Sequence, residues 1–462
     1  MSRVSIFLLP ALLLCIPLDG AILHVKFDAT GAADGSSWAD AYPKLQDALA
    51  AAAPGDEIWV AAGIYYPDEG AGQVNNDRTS SFVLDQDISL YGGFVGTELT
   101  LLARNLNPAK PVTVLSGDLD QNDGGKDADG VLTDPDLING DNSHHVVTVG
   151  GGSSNVFIDG FTITGGNRET SGGPDLRSGA GIYAVIFGSL DMISCRIQGN
   201  HSGFGGGMFI AGSNVNVTLC SFLSNRGTSG GAYYGNNGSG IAFRSCVFAG
   251  NAATSGGGAF IASNSTNQFF NCTFHGNSAV DDAGSGIHDL GSASALINCV
   301  VWNSPSSDGP LDEIDDNGAG TLSFSHTLVQ HQDLSAAGSN LDGTDPANDP
   351  LFLETLVSNQ SPQVWDDFRQ ASNSPIIDLG DNTQNFLLVD IVGRTRTFNG
   401  TIDLGAVEYQ PRIWHVDASA TGAEDGTSWA AAFTDLQDAL AAAIKWNEGR
   451  IEGATRVEIG TE

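Results

Sequence analysis

Hydrophobic and polar positions alternate with period two over short stretches of this chain, and the stretches recur. Aligned on cysteine they read CRIQGNHSGFGGGMF, CSFLSNRGTSGGAYY, CVFAGNAATSGGGAF and CTFHGNSAVDDAGSG, with VFIDGFTITGGN before them and an irregular CVVWNSPSSDG after. Cys195, Cys220, Cys246, Cys272 and Cys299 stand 25, 26, 26 and 27 residues apart. A Cys, a polar or small residue, then Phe or Ile is the signature of a short strand with one buried face. The asparagine and glycines that follow tolerate positive φ and close the strand with a turn. No window holds a sustained 3.6-residue period, which excludes a helical solenoid, and this repeat is too short for a four-stranded propeller blade. The pattern predicts an all-β chain: a right-handed, single-stranded parallel β-helix with coils stacked about 4.8 Å apart.

In such a coil each repeated position becomes a column. The cysteines are expected to form an inward column of small hydrophobic thiols, with Phe222, Phe248 and Phe274 stacked beside it. Asn200, Asn225, Asn251 and Asn277 predict an amide ladder at a turn. Gly206, Gly231, Gly257 and Gly286 predict the tight bend before the next strand. Adjacent coils bring cysteines within disulfide reach, so paired cysteines and an unpaired apolar column both fit the spacing.

Outside the repeats the pattern changes. In residues 38–65, Leu45, Ala48, Leu49 and Ala52 recur at helical spacing and Pro54-Gly55 ends the run before an apolar strand. The open end of a β-helix must be covered, so this segment predicts an N-terminal capping helix. The runs at 82–94 and 144–149 predict early coils. SPIIDLGD and GTIDLGAVEYQ look like final strands with acidic turns. Residues 413–443 then repeat residues 22–52 at most positions, as though a second β-helix begins. The organisation expected is a signal segment over 1–20, a cap and first coils with an acidic insertion over 21–143, regular coils over 144–303, irregular coils and a closing segment over 304–410, and an incomplete second cap over 411–462.

Composition narrows the partners. The chain has 462 residues, 60 of them glycine, and a formal charge of −35 from 19 basic and 54 acidic side chains. Such a surface disfavours nucleic acid, anionic lipid and polyanionic substrates, because little basic surface is available to neutralise them. The N-terminus combines Arg3, an apolar run and small residues near Gly20, which reads as a secretory signal. No later stretch is long and apolar enough to span a membrane. A secreted or cell-surface location follows, with an outer-membrane surface included.

Three sets of residues resemble known groups. KLQDALAAAAPGDEIWVAAGIY is similar to the N-terminal cap of the pectin-lyase-like superfamily. The FxxN (Phe222 to Asn225, Phe248 to Asn251, Phe274 to Asn277) and GGA or GGGxF elements resemble the repeats of chlamydial polymorphic outer membrane proteins and their relatives. IDLGAVEY resembles the closing motif of secreted bacterial β-helix proteins that carry a separate anchor. The resemblance covers roughly residues 22–410 and implies a secreted or surface β-helix. It implies either a non-enzymatic role in adhesion, glycan contact or structure, or a polysaccharide lyase or glycoside hydrolase.

The residues an enzyme of that kind needs are sparse. Gly160 stands where a histidine is expected after the acidic strand VFIDGF, no RxPxxR occurs, and there is no lysine between Lys126 and Lys445. Asp281-Asp282 is the one paired acid of the coils, with His275 and His288 six residues to either side. A solvated turn that replaces TSGG with DDAG is the simpler account, and no catalytic residue is assigned. The candidate metal site lies in SGDLDQNDGGKDADG. Asp118, Asp120 and Asn122 alternate, and Asp129 falls at the twelfth position counted from Asp118. Oxygen ligands so spaced suit a hard cation such as calcium. The glycine is one place late and the twelfth residue is Asp rather than Glu, so an acidic surface loop is the alternative. Carbohydrate or another cell-surface ligand is the expected partner.

Overall fold

The computed structural model describes residues 20–459 except 105–111, 151–154, 169–176, 186–187, 213, 237–239, 262–264, 281–283, 303–312, 317–320, 354–367, 427 and 449–454. The expected signal segment, save Gly20, and the Asp281-Asp282 pair lie outside the described residues. Within them the chain is a right-handed parallel β-helix. One coil comprises Met208–Ala211, Asn214–Thr218 and Ser221–Leu223, and the next repeats it as Tyr233–Asn236, Gly240–Arg244 and Val247–Ala249. Stacking coils produces three long parallel sheets of eight, ten and nine strands, here sheets 1, 2 and 3 in the order a coil visits them. Phe222, Phe248 and Phe274 are register partners in sheet 3, and their rings stack at 4.9 and 4.4 Å, nearly parallel.

The turn from sheet 2 to sheet 3 explains the cysteine ruler. Ser194, Leu219, Ser245, Asn271 and Asn298, each just before a cysteine, have φ between +50° and +57°. That left-handed residue swings the chain so that the cysteine points inward. All five cysteines are free, fully buried thiols, and each donates to the carbonyl two residues back at 3.2–3.4 Å. The asparagine ladder forms as well. Each of Asn200, Asn225 and Asn251 donates from Nδ2 to the Oδ1 of the asparagine below at 2.9–3.0 Å and to a backbone carbonyl.

The glycine expectation needs one correction. The left-handed bend is made one residue earlier by Gly205, Gly230 and Gly256, and two residues before Gly286 by Gly284, with φ of +56° to +70°. Gly206, Gly231 and Gly257 are required for another reason. A Cβ there meets a backbone oxygen of the adjacent coil at 2.0–2.5 Å, so close stacking of the turns allows no side chain.

The helix Leu45–Ala51 lays Leu45, Ala48 and Leu49 over the upper end of the apolar lumen, against Val25, Ile58, Phe82 and Leu84. Gln46 fastens it by donating to the carbonyls of Pro67 and Ser81 at 2.7 and 2.9 Å. At the other end the coils finish with Leu328–Val329. Residues 304–410 were expected to add irregular coils and final strands, but after Val329 the described part contains no strand up to Arg412. It folds back instead along the outside of sheet 3, packing Phe368, Ala406 and Val407 on Leu223, Val247 and Ala249, and Ile376 and Leu404 on Val300 and Leu328. Considered by itself, the second cap reproduces the first. Arg412–Val416 pairs in parallel with Thr455–Ile459, as Ile22–Val25 does with Glu57–Ala61. His415 meets Trp429 edge-on at 4.8 Å, as His24 meets Trp38 at 4.7 Å.

Candidate functional site

Alternation in a strand forces a choice at every coil of sheet 1. When Ile182, Met208, Tyr233, Ala259 and Ile287 point into the lumen, the next residues point out: Tyr183, Phe209, Tyr234, Phe260 and His288. These outward rings form a second column. Centroids are 5.6 Å apart for Tyr183 and Phe209, 5.5 Å for Phe209 and Tyr234, and 4.9 Å for Tyr234 and Phe260, with planes within 13°. His145 continues it above Tyr183 at 4.8 Å, and His288 ends it below Phe260 at 4.9 Å. Phe204 meets Tyr234 edge-on, with the Arg177 guanidinium 5.5 Å from the Phe204 ring.

Rings stacked face to face present their edges outward. Phe209 and Phe260 are 2% and 7% exposed, whereas Tyr183 and Tyr234 are half-buried. The result is a rigid ring column at the coil spacing in which Tyr183 and Tyr234 reach solvent and Phe209, Phe260 and His288 are buried. Burial of the Tyr234 phenol raises its pKa, so the hydroxyl stays a neutral donor and acceptor. Burial lowers the His145 pKa to about 4, so its ring is neutral at ordinary pH. At the lower end His288 Nε2 stands 3.6 Å from Asp315 Oδ2. The cysteine-based alignment does not single these residues out. Their signal is an aromatic or histidine ring two residues past the last small residue of each repeat, in GIY, GMF, AYY, GAF and GIH.

The histidines flanking the paired acid do not meet. His275 lies on the outer side of sheet 3 under Phe352 and Phe368, and burial lowers its pKa to about 4. His288 lies on sheet 1. The hydrolase grouping is therefore split across two faces.

The acidic insertion covers the upper part of sheet 3, where Leu132 N donates to Thr164 Oγ1 and Asn142 Nδ2 to the Gly165 carbonyl. Asp118, Asp120 and Asn122 share one turn. Asn122 N donates to Asp118 Oδ1 at 3.0 Å, and its Nδ2 donates to Asp120 Oδ2 at 2.7 Å. Lys126 Nζ sits 2.6 Å from Asp118 Oδ2, where a cation is expected. Asp129 is exposed, and its amide turns to Asp127 Oδ1 at 3.0 Å. Among the described residues no three acidic, His or Cys side chains converge as a metal set.

The closing segment holds a second acidic group, in which Asp390, Asp403, Glu408 and Arg396 are all buried. The carboxylates do the work of a partner strand. Asp403 accepts from the amides of Asp378 and Tyr409 and from Gln370 Nε2, Glu408 from the amides of Phe398 and Asp403, and Asp390 from those of Val392, Arg394 and Glu408. With backbone N–H groups satisfied this way, the IDLGAVEY stretch has no need of a ladder. Arg396 Nη2 donates to the carbonyls of Asp403 and Gly405. Burial raises Asp403 to about 6. Burial together with the Asp403 charge raises Glu408 to about 8.

Residues 136–301 match a family model described as "Right handed beta helix region". No curated protein matches the chain. Among solved structures it is similar to pectate lyase Pel9A, at 12% identity over 84% of this chain and 96% of that one, with a TM-score of 0.44. A rhamnogalacturonan lyase aligns at 12% identity over 76% and 96%, TM-score 0.34. Pectin methylesterase PemA from Erwinia chrysanthemi aligns at 13% identity over 67% and 78%, TM-score 0.28. No catalytic or binding role passes from them to this chain.

Proposed function

We propose that this protein is a secreted or surface-exposed β-helix that contacts glycan without cleaving it, through the outer ridge of sheet 1. The observation that carries the reading is the ring column itself. Tyr183, Phe209, Tyr234, Phe260 and His288 occupy one outward position on five successive coils, where folding of the lumen requires no ring. Ring edges and phenol hydroxyls suit the mixed apolar and hydroxyl surface of a sugar chain. Repeats resembling those of polymorphic outer membrane proteins support a surface role.

One observation favours the alternative, a polysaccharide lyase or hydrolase. His288 and Asp315 form a histidine–carboxylate contact on the same face, an arrangement able to move a proton. The acidic turn at Asp118 is a calcium site only where Lys126 vacates its place beside Asp118.

The deciding experiment incubates the full chain with a panel of plant and algal polysaccharides, with and without calcium. Retention in affinity electrophoresis with no new reducing or unsaturated ends, weakened by Tyr234→Ala, is the expected outcome. Release of such ends, abolished by His288→Ala, replaces the binding reading with the enzymatic one.

A further inference from the structure

The lumen is lined by apolar side chains through its upper coils, and the lining breaks at the corner between sheets 1 and 2 in the lower coils. At the first inward position of sheet 2 the column reads Leu190, Val215, Ile241, then Asn267 and Ser294. At the last inward position of sheet 1 it reads Ala184, Ile210, Gly235, Ile261, then Asp289. Asn267 and Ser294 are register partners, and Asp289 precedes Ser294 across a short turn. The three residues therefore lie at one corner of adjacent coils, and each is at most 3% exposed.

Their bonding is incomplete. Asp289 Oδ1 accepts from the Ser292 amide at 2.8 Å, and Asn267 Oδ1 lies 3.0 Å from the Tyr233 hydroxyl. Asp289 Oδ2, Ser294 Oγ and Asn267 Nδ2 have no hydrogen-bond partner among the described residues. A buried carboxylate with one amide bond and one bare oxygen is costly unless a counter-charge accompanies it.

We propose that this corner binds a single monovalent cation of sodium or potassium size, held by Asp289 Oδ2 and Ser294 Oγ and completed by water. One carboxylate balances one positive charge, which argues against a divalent ion. Asn267 joins the set when its amide is turned over. The Tyr233 hydroxyl then accepts from Nδ2 instead of donating to Oδ1, and Oδ1 faces the ion. The site is independent of the glycan reading. It sits behind the strand Ile287–Asp289, whose middle residue His288 ends the outer ridge, and it makes the lower coils sensitive to salt identity.

The test is thermal unfolding of the full chain in sodium, potassium or choline chloride at equal ionic strength, with diffraction from crystals soaked in thallium(I). Sodium or potassium is expected to raise the melting temperature by about 2 °C over choline, and thallium to give an anomalous peak beside Asp289. Asp289→Asn, an isosteric change that removes the charge, is expected to abolish both effects while melting in choline no lower than the parent. Equal melting in all three salts, or density for water alone beside Asp289 in thallium, overturns the proposal. So does a cation effect that survives in Asp289→Asn.

Discussion

The outer faces of sheets 1 and 3 come from the same repeats, yet one is covered and the other is left as a ridge. Leu223, Val247, His275, Val300 and Leu328 point outward from sheet 3 and are buried. The acidic insertion lies over the upper coils and the closing segment over the lower ones. On sheet 1 the outward rings pack on one another instead. Stacked rings bury one another's faces and leave only Tyr183 and Tyr234 part-exposed, whereas aliphatic side chains of sheet 3 must be covered from elsewhere. The difference assigns structural work to one side of the solenoid, and the proposed glycan contact lies on the other.

The strongest way to break this contrast is to uncover sheet 3. Arg396→Ala removes the one buried cation that, among the described residues, faces Asp390, Asp403 and Glu408, and it is expected to cost about 3–5 kcal/mol. Chemical denaturation should then show the closing segment lost in a separate, earlier step, with dye binding to the exposed aliphatic stripe. A single transition of unchanged midpoint refutes the covering role. The next effect is on pH. Glu408 and Asp403 carry raised pKa values, so their folded forms hold protons more tightly than the unfolded chain. The contribution of Glu408 is complete below its unfolded value near 4.5 and is lost as pH rises through about 8. Asp403 loses its share between its unfolded value of 3.8 and about 6. Asp390, also raised by burial, acts in the same direction, with Arg394 and Arg396 opposing it. His275, lowered to about 4, has the opposite sense, losing stability as pH falls below 6.5. Raising pH from 6 to 9 is therefore expected to weaken the closing segment by on the order of 3 kcal/mol. Hydrogen exchange at the Phe398 and Asp403 amides should accelerate while the cysteine coils stay protected. Uniform protection from pH 6 to 9 contradicts this.

How much of this was legible differs between the two faces. Lumen positions recur every 25 to 27 residues, and repetition turns each into a column whose neighbours are copies of itself, so the thiol, phenylalanine and asparagine ladders could be read from one strand. The ring ridge was equally periodic, but it lies past the glycines, away from the cysteine ruler. The cover over sheet 3 had no such signal. Asp403 and Glu408 look like solvated turn acids, and only the fold brings Asp378, Phe398 and Tyr409 amides to them. In the acidic insertion the alternation of Asp118, Asp120 and Asn122 was visible, but not that Lys126, eight residues on, folds back onto Asp118.

On sheet 1 the expected effects are smaller. Tyr234→Ala removes a half-buried ring between Phe209 and Phe260 and should weaken binding to a retained polysaccharide about tenfold, near 1.4 kcal/mol. The covered face should be untouched, with exchange at the Phe398 amide unchanged. Equal loss from Leu223→Ala, on the covered side, shows instead that binding follows overall stability.

The smallest effect concerns the acidic insertion, the upper half of the cover. With Lys126 paired to Asp118, the turn already holds a positive charge, and calcium must displace it. Millimolar calcium is therefore expected to move the melting temperature of the parent by less than about 1 °C. Lys126→Ala exposes Asp118 Oδ2 next to Asp120, whose Oδ1 is buried without a partner among the described residues. That variant should melt lower without calcium, regain part of the loss with it, and lose the response when Asp118→Ala is added. A large calcium shift in the parent, abolished by Asp118→Ala, shows that Lys126 yields its place readily. The cover of sheet 3 is then a metal-dependent structure, and the contrast between the two faces depends on the ions around the protein as well as on its sequence.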